Sequence, residues 1–471
     1  MNSIIDLLDL EDPNVSVTDV ITEGNIKTVV LESKPVHHYC PECGFRMHSK
    51  GIHKRIINHP LLQDVYSLRI LLKQRRWKCT NPSCSYTINE SFPFVSKYRR
   101  STNATDMLIV EAFKDLSHTA ADIADRFHVS DSHVIRTFDS YVKMDRLPLS
   151  DAICVDEVYI DMDRHCKYAL VIQDFHTGDP IDLLISRRNE ITEPYFANIP
   201  IEERLNVKYL VSDMYNEYVR YVDRYFPNAI SVVDSFHVMQ WVLREIDRYL
   251  KQLMTMYKQR DEERQNRLSN ARGYAVNLPV SDEVYLLKKY RWLILKNQSS
   301  INYRIDTHLD FHFKYMMNTY SYELKLLDIN PRIRLLRDWK EEYVTFNERN
   351  AGNPERARIE LEELIDRYLH SNDSIITDFG LLLSKFKQPI INSFIMLERV
   401  GPKGTYESRL SNGPMESLNR KVKDLKRIGR GYRNFDHFRN RFLYAARYSP
   451  VINGSSDPEH TYEYIIDEDI I

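Results

Sequence analysis

Four cysteines fall in two short pairs, Cys40-Pro-Glu-Cys43 and Cys79-Thr-Asn-Pro-Ser-Cys84. Two thiolates on one tight turn can reach a single tetrahedral zinc, and a second pair completes the site. Gly44 behind the first pair and Pro82 inside the second suit such turns. Disulfides and four unrelated buried thiols are the alternatives; a separation wider than the usual spacing of about 15–20 residues weakens the match. Cys154 and Cys166 stand alone and read as small core residues. A second chemistry comes from acids at strand ends: Asp156, Asp213 and Asp234, with Glu416 in the first turn of a helix that starts at Ser411-Asn412-Gly413-Pro414. Carboxylate oxygens suit Mg2+ or Mn2+, which keep open positions for substrate phosphates. Two such ions about 3.5–4 Å apart stabilise both oxygens of an in-line phosphoryl displacement.

The acids are positioned by alternating strands and helices. Ala152–Val155 predicts a strand ending at Asp156, and 168–175 and 181–186 predict two more around the turn His176–Asp179. Helical patterns at 190–199 and 215–226 lead to strands at 207–211 and 229–233. Three meandering strands and two helix-linked strands make a mixed, five-stranded α/β sheet, with functional groups outside the carboxyl ends of its strands. Along the final helix Met415, Leu418, Val422 and Leu425 form an apolar stripe, and Glu416, Arg420, Lys423 and Arg427 share another face. Lys426, Arg430 and Arg433 extend this basic stretch, which could lie along a DNA backbone or be a solvated face.

Between Gln240 and Leu410 the pattern is helical, strongest at 241–257, 285–295 and 359–369. The stretches 260–267 and 347–355 are polar and read as exposed. Trp241 and Trp292 offer faces for base stacking, with core packing the commoner use of such residues.

Upstream, Tyr66, Leu68, Ile70 and Leu72 alternate with Ser67, Arg69 and Lys73, a strand pattern that continues into Arg75, Arg76, Trp77 and Lys78. The layout predicts a zinc ribbon with a basic central hairpin. Leu116, Ala120, Ile123, Ala124 and Phe127 then share one helix face. After the break at His128-Val129, Ser130 caps a second helix over 131–141, with Val129 and Val134 as a hydrophobic staple. Val134, Ile135, Phe138 and Tyr141 turn inward, leaving Ser132, His133, Arg136 and Thr137 to face base edges, as in a recognition helix. A helical hairpin packed on its own domain is the competing reading.

The 65 Lys and Arg against 67 Asp and Glu give a net charge of −2, which hides a strong segregation. Residues 34–100 are strongly basic, as are 420–441, whereas 1–33 and the stretch after Ser449 are acidic. Screening limits each field to about 8–10 Å, so local basic blocks bind phosphates whatever the total. At 43% hydrophobic the chain is too apolar to be disordered. Neither a membrane span nor a signal peptide is expected, and Walker-type and dinucleotide-binding glycine motifs are absent.

The order of these features resembles the DDE transposases of the ISL-three insertion-sequence family over about residues 36 to 446. The most specific pieces are Val155-Asp156-Glu157, Val233-Asp234-Ser235-Phe236-His237, and 411–419 followed by Lys426-Arg427 and Gly431-Tyr432-Arg433-Asn434-Phe435. The resemblance implies an RNase H-like α/β core interrupted by a helical insertion and preceded by a zinc ribbon and a helix-turn-helix. It implies metal-dependent cleavage at terminal inverted repeats, joining to target DNA, a homodimer in the synaptic complex, and a cytoplasmic, nucleoid-associated bacterial protein with no membrane partner.

Asp156 and Asp213 match the family's catalytic aspartates and Glu416 its glutamate. Asp234 is the rival for the second position; in an RNase H-like sheet the fourth strand lies beside the first, which favours Asp213. Asp234 and His237 then orient the site from behind. The domains expected are 1–35 acidic, 36–95 ribbon, 101–147 helix-turn-helix, 150–240 and 406–449 catalytic core, 241–405 insertion and 450–471 acidic tail. A zinc and helix-turn-helix transcriptional regulator with an inactive core is the alternative function.

Overall fold

The computed structural model of the chain describes residues 8, 10, 12–34, 36–60, 67–303 and 306–454. The first sheet contains β1 (Val15–Glu23), β2 (Ile26–Ser33), β3 (Met47–Asn58), β4 (Ser67–Cys79) and β5 (Thr87–Asn89). Its order is β1-β2-β4-β3, with β5 also pairing β4. Leu68, Ile70 and Leu72 alternate into a core with Val29, Leu31 and Ile57. The acidic segment expected to stand apart from the ribbon joins it: β2 pairs in parallel with β4 from Ile26↔Ser67 to Glu32↔Lys73. Its apolar residues Val29, Val30 and Leu31 bury on that sheet, which fixes the register. The acidic tail from 455 onward and Tyr66 lie outside the described residues.

Three helices follow, α1 (Asn103–Ala112), α2 (Ala120–Phe127) and α3 (Asp131–Tyr141). Thr119 and Asp122 close a capping box on α2. Ser130 caps α3 by accepting from the His133 N–H at 3.2 Å. Val134, Phe138 and Tyr141 pack with Phe438 and Tyr444 and with Val158 and Val171 of the second sheet, so the helices and that sheet share one core. Ile135, expected inward, is exposed, because it lies about 100° round the helix from Val134.

The second sheet comprises β6 (Ala152–Tyr159), β7 (Tyr168–Asp174), β8 (Pro180–Leu184), β9 (Tyr209–Ser212) and β10 (Ile230–Val233). Helices α4 (Asn189–Ala197) and α5 (Ile201–Asn206) precede β9, and α6 (Asn216–Tyr225) precedes β10. The order is β10-β9-β6-β7-β8, so the fourth strand lies beside the first and the fifth one further out. β6 does not end at Val155; it continues to Tyr159 along β7. β9 accompanies it only over 152–154, so Asp156 emerges just beyond that pairing. The chain is thus a mixed α/β fold with one five-stranded sheet at its centre.

The insertion opens with α7 (Ser235–Arg272), about 57 Å long at 1.5 Å per residue. It continues through α8 (Asp282–Tyr290), α9 (Trp292–Leu295), the hairpin β11 (His308–Asp310) and β12 (Tyr315–Met317), and α10 (Thr319–Ile329). Then come α11 (Pro331–Arg349), α12 (Pro354–Leu369), α13 (Ser374–Lys385), α14 (Lys387–Asn392) and the hairpin β13 (Met396–Gly401) and β14 (Gly404–Arg409). Helices α15 (Gly413–Ile428) and α16 (Phe435–Ala446) return to the central sheet.

Val238, Val242, Ile246, Leu250 and Leu253 set one stripe of α7 into the insertion's own core. Trp241 stacks on Phe379 with ring centroids 5.4 Å apart; Trp292 is exposed. The stretch 347–355 is mostly exposed, as its polarity predicts, with Asn350 the buried exception. Asn350 is fully buried, donating to the Phe346 carbonyl at 2.9 Å, and Asn347 accepts from Arg409 at 3.2 Å. Among the described residues no helix is long and apolar enough to cross a membrane.

Candidate functional site

The two cysteine pairs sit on turns at one end of the first sheet, where Met47 of β3 pairs with Cys79 of β4. The Cys43 and Cys79 sulfurs are 3.4 Å apart and those of Cys40 and Cys84 3.8 Å. All four sulfurs lie within 4.8 Å of one another, close to the edge of about 3.8 Å of a tetrahedron with 2.3 Å metal–sulfur bonds. None forms a disulfide. The Phe45 backbone N–H and the neighbouring thiols hold the Cys43 thiol down at about 7, whereas burial and the crowding of thiols raise Cys79 and Cys84. Cys154 is buried in the core; Cys166 is not, being half-exposed in a turn.

The basic strand divides into free and engaged cations. Arg76 and Lys78 are exposed and Arg69 is half-buried. Lys73 and Arg75, expected to meet DNA, instead bind Glu32 at 3.3 and 2.7 Å. The parallel pairing of β2 places that acid directly beside them.

On α3, Ser132 and Arg136 face solvent as expected. Thr137 does not: it is fully buried. His133 turns onto the start of α1, 3.1 Å from the Ser101 hydroxyl and 3.6 Å from the Asp106 carboxylate. Periodicity placed both opposite the apolar stripe, but α1 covers that side too.

The carboxylates meet where the second sheet faces α15. Asp156 projects from β6 on the same side as Cys154 and Val158, which pack in the core shared with Leu418 and Val422. Glu157 turns to the opposite face and pairs with Arg187. Asp213 follows β9 and accepts from the Tyr215 N–H at 3.0 Å. Asp234 follows β10 and, at 1% exposure, caps α7 through the Phe236 N–H at 3.2 Å. The Asn412 backbone beside it favours its charge, which brings the starts of α7 and α15 together. Glu416, one turn into α15, is exposed, with Arg420 at 3.6 Å.

Asp156, Asp213, Asp234, Glu416 and His237 line one open groove of about 1130 Å³, joined by Arg420 and Lys423. Lys426 lies over the Tyr159 ring at 5.4 Å, Arg427 pairs with Asp424 at 3.0 Å, and Arg430 and Arg433 are exposed beyond the helix.

Burial pushes Asp156 up to about 6, with His237 opposing and Asp213 and Asp234 adding repulsion. Burial also raises Asp213 and Asp234. Among the described residues no Lys or Arg hydrogen-bonds to these three acids. An oxygen-only donor set with uncompensated charge fits a hard divalent cation. The carboxylates share the groove without closing to the 4.8 Å spacing of the cysteines.

Two asparagines of the 411–419 run have roles that the sequence reading does not assign. Asn419 donates to the Asp156 Oδ2 at 2.8 Å, and Asn412 to the Val155 carbonyl at 3.2 Å. Both are buried, and each keeps an unpartnered Oδ1. The available signal was a polar residue at position 419 beside the apolar stripe of an amphipathic helix.

A family model described as Transposase matches residues 153–442. A second, described as the helix-turn-helix domain of transposase family ISL3, matches residues 90–142. The transposase for insertion sequence element IS1001 of Bordetella parapertussis is 22% identical over 293 residues. That alignment covers 61% of this chain and 66% of the relative, so the chain spans just under two thirds of the relative's length.

Proposed function

Because the chain belongs to the transposase family ISL3, we propose that it binds the terminal inverted repeats of an insertion sequence and cleaves and joins DNA strands at Asp156, Asp213 and Glu416. The observation that carries this reading is the groove itself. Two acids on adjacent strands and one on the helix packed across them line a single cleft. The strand order supports an RNase H-like reading of the core.

Mg2+ or Mn2+ bound by Asp156, Asp213 and Glu416 would stabilise the attacking and leaving oxygens of an in-line displacement at phosphorus. The chain's part is to aim and shield. Asn419 fixes the Asp156 carboxylate, and Asp234 at the start of α7 lies beside the Asn412 backbone at the start of α15, the helix that carries Glu416. His237 lowers the cost of gathering negative charge, while Arg420 and Lys423 offer cations to the strand being cut. No covalent protein–DNA intermediate is required, so no serine or tyrosine nucleophile is assigned.

Zinc on Cys40, Cys43, Cys79 and Cys84 would brace the ribbon, whose free cations Arg76 and Lys78 meet the repeat together with Ser132 and Arg136 of α3. Double-stranded DNA, as repeat and as target, is the partner. Joining two ends calls for a homodimer in the synaptic complex. We place the protein with the bacterial nucleoid in the cytoplasm.

The test is nicking of a duplex bearing the repeat that flanks the gene, with Mg2+, comparing wild type with Asp156→Ala, Asp213→Ala and Glu416→Ala. All three variants should bind the DNA and fail to cut it. Full activity in Asp213→Ala with a dead Asp234→Ala would reassign the second acid. Binding without any cation-dependent nicking by wild type would favour a regulator.

A further inference from the structure

The hairpin of β11 and β12 reverses the usual assignment of faces. Its register sets Leu309 opposite Met316 and Asp310 opposite Tyr315. The charged Asp310 is turned inward, 3% exposed, whereas Leu309 and Met316 look outward at 50% and 54%. Phe311, the first residue of the connecting turn, is 88% exposed. A single apolar side chain at a surface is ordinary. An apolar outer face on a two-stranded ribbon, tipped by an unpacked ring, marks a contact surface.

The turn that carries the ring is braced. Asp310 accepts from the Tyr285 and Tyr322 hydroxyls, both at 2.6 Å, and from the His312 and Phe313 N–H groups at 2.8 and 2.9 Å. The turn closes with the Lys314 N–H on the Asp310 carbonyl at 2.7 Å, and Lys314 takes φ of 61°. The turn backbone is therefore ordered before a partner arrives. The surroundings are cationic: Lys314 is exposed in the turn, Lys325 lies 4.7 Å over the Phe313 ring, and Lys289 lies 5.2 Å over the Tyr285 ring. Of the acids beside the turn, Asp310 is engaged from within, and Asp282 is answered by the His312 ring at 2.8 Å.

We propose that this ribbon is a DNA-bending element: it enters the minor groove of duplex DNA, Phe311 wedges between two base steps, and Lys314 takes a flanking phosphate. A narrow ribbon, an apolar wedge and lysines flanking its tip are the chemistry that minor-groove bending uses. The inference rests on the reading that the chain acts on DNA.

The test uses the full chain and the flanking-repeat duplex carrying a donor and an acceptor fluorophore at its ends. Wild type should bind and raise energy transfer. Phe311→Ala should bind about ten-fold more weakly with the transfer gain lost, and Phe311→Trp should restore both. Phe311 packs on nothing at 88% exposure, so its replacement leaves the fold intact, and thermal melts of the variants check this directly. Equal bending by Phe311→Ala and wild type overturns the wedge while leaving the transposase reading intact. Unchanged bending together with a shift of Phe311→Ala from dimer to monomer in sedimentation also overturns it, assigning the patch to a second copy of the chain. Wild type that binds no DNA overturns both readings.

Discussion

The Asn419 amide donates to the Asp156 carboxylate at 2.8 Å, joining the last helix of the groove to its central strand across 263 residues of sequence. The Asp156 Oδ1 is already engaged by the Glu157 N–H at 2.7 Å. Both oxygens are thereby oriented before any cation arrives. Asn419→Ala should lower cleavage or apparent cation affinity by about 10–100-fold, the usual effect of removing a residue that orients a ligand. A Mg2+ titration of nicking measures it; an unchanged half-saturation and rate would leave Asn419 as packing alone.

Asp156 gives a pH prediction with a definite sign. Burial raises its pKa from 3.8 to about 6. A raised carboxyl is more costly ionised in the folded than in the unfolded chain. That penalty is absent below 3.8, grows through the interval and is complete above about 6. Asp156→Asn should therefore stabilise the cation-free protein above that window by up to about 3 kcal/mol, and scarcely alter it below 3.8, while abolishing cleavage. Urea midpoints on either side of the window decide the matter. Cation affinity should rise across the same interval as the proton leaves.

These two residues also show where sequence reading reaches and where it stops. Asp213 and Asp234 at strand ends, Ser130 as a cap and Glu416 in a first turn are local features, governed by residues within one turn or strand. Asn419 gains its role from a strand more than two hundred and fifty residues away, and nothing in its neighbourhood names Asp156. His133 and Thr137 were placed outward because periodicity knows only one apolar stripe; α1 supplies a second covered side through Ser101 and Asp106. Lys73 and Arg75 looked free until β2 brought Glu32 alongside. In each case the missing information was tertiary, and it concerned which neighbour a side chain meets rather than which element carries it.

The division between free and engaged cations predicts the salt dependence of DNA binding. Each phosphate contact contributes about 0.9 to the slope of log affinity against log salt. Arg76→Ala and Lys78→Ala should each flatten the slope by about that amount. Lys73→Ala should leave it unchanged, since its charge is already answered by Glu32. Fluorescence anisotropy over a salt series separates the three, and a flatter slope for Lys73→Ala would show that the Glu32 pair opens on DNA.

Stripping metal from the four cysteines should act on recognition more than on chemistry. The ribbon's knuckles rest on a small cluster of Cys40, Met47 and Cys79, too few side chains to hold two turns without a bound ion. Chelation followed by proof of zinc loss should abolish discrimination between repeat and random duplex. Cation-dependent nicking of random duplex should persist. Specific binding that survives verified zinc loss would remove the ribbon from recognition.

Arg441 links the DNA-reading helices to the groove. It is fully buried on α16, and its guanidinium donates to the carbonyls of Phe113, Asp115 and His118 just beyond α1. Of the three, the Phe113 carbonyl is buried, whereas Asp115 is exposed and its carbonyl also accepts from the His118 N–H at 3.4 Å; an unsatisfied buried acceptor costs about 1–3 kcal/mol. Removing the buried charge offsets part of that cost, so Arg441→Met should lose about 1–2 kcal/mol in urea unfolding. Its functional effect should be distinctive. With α1 no longer fastened to α16, the distance from bound repeat to Asp156 ceases to be fixed, and cleavage should spread over neighbouring phosphates rather than simply slow. Sequencing the cut ends reads this directly; a single unchanged cut site in a destabilised Arg441→Met would place the ruler for cleavage elsewhere in the fold.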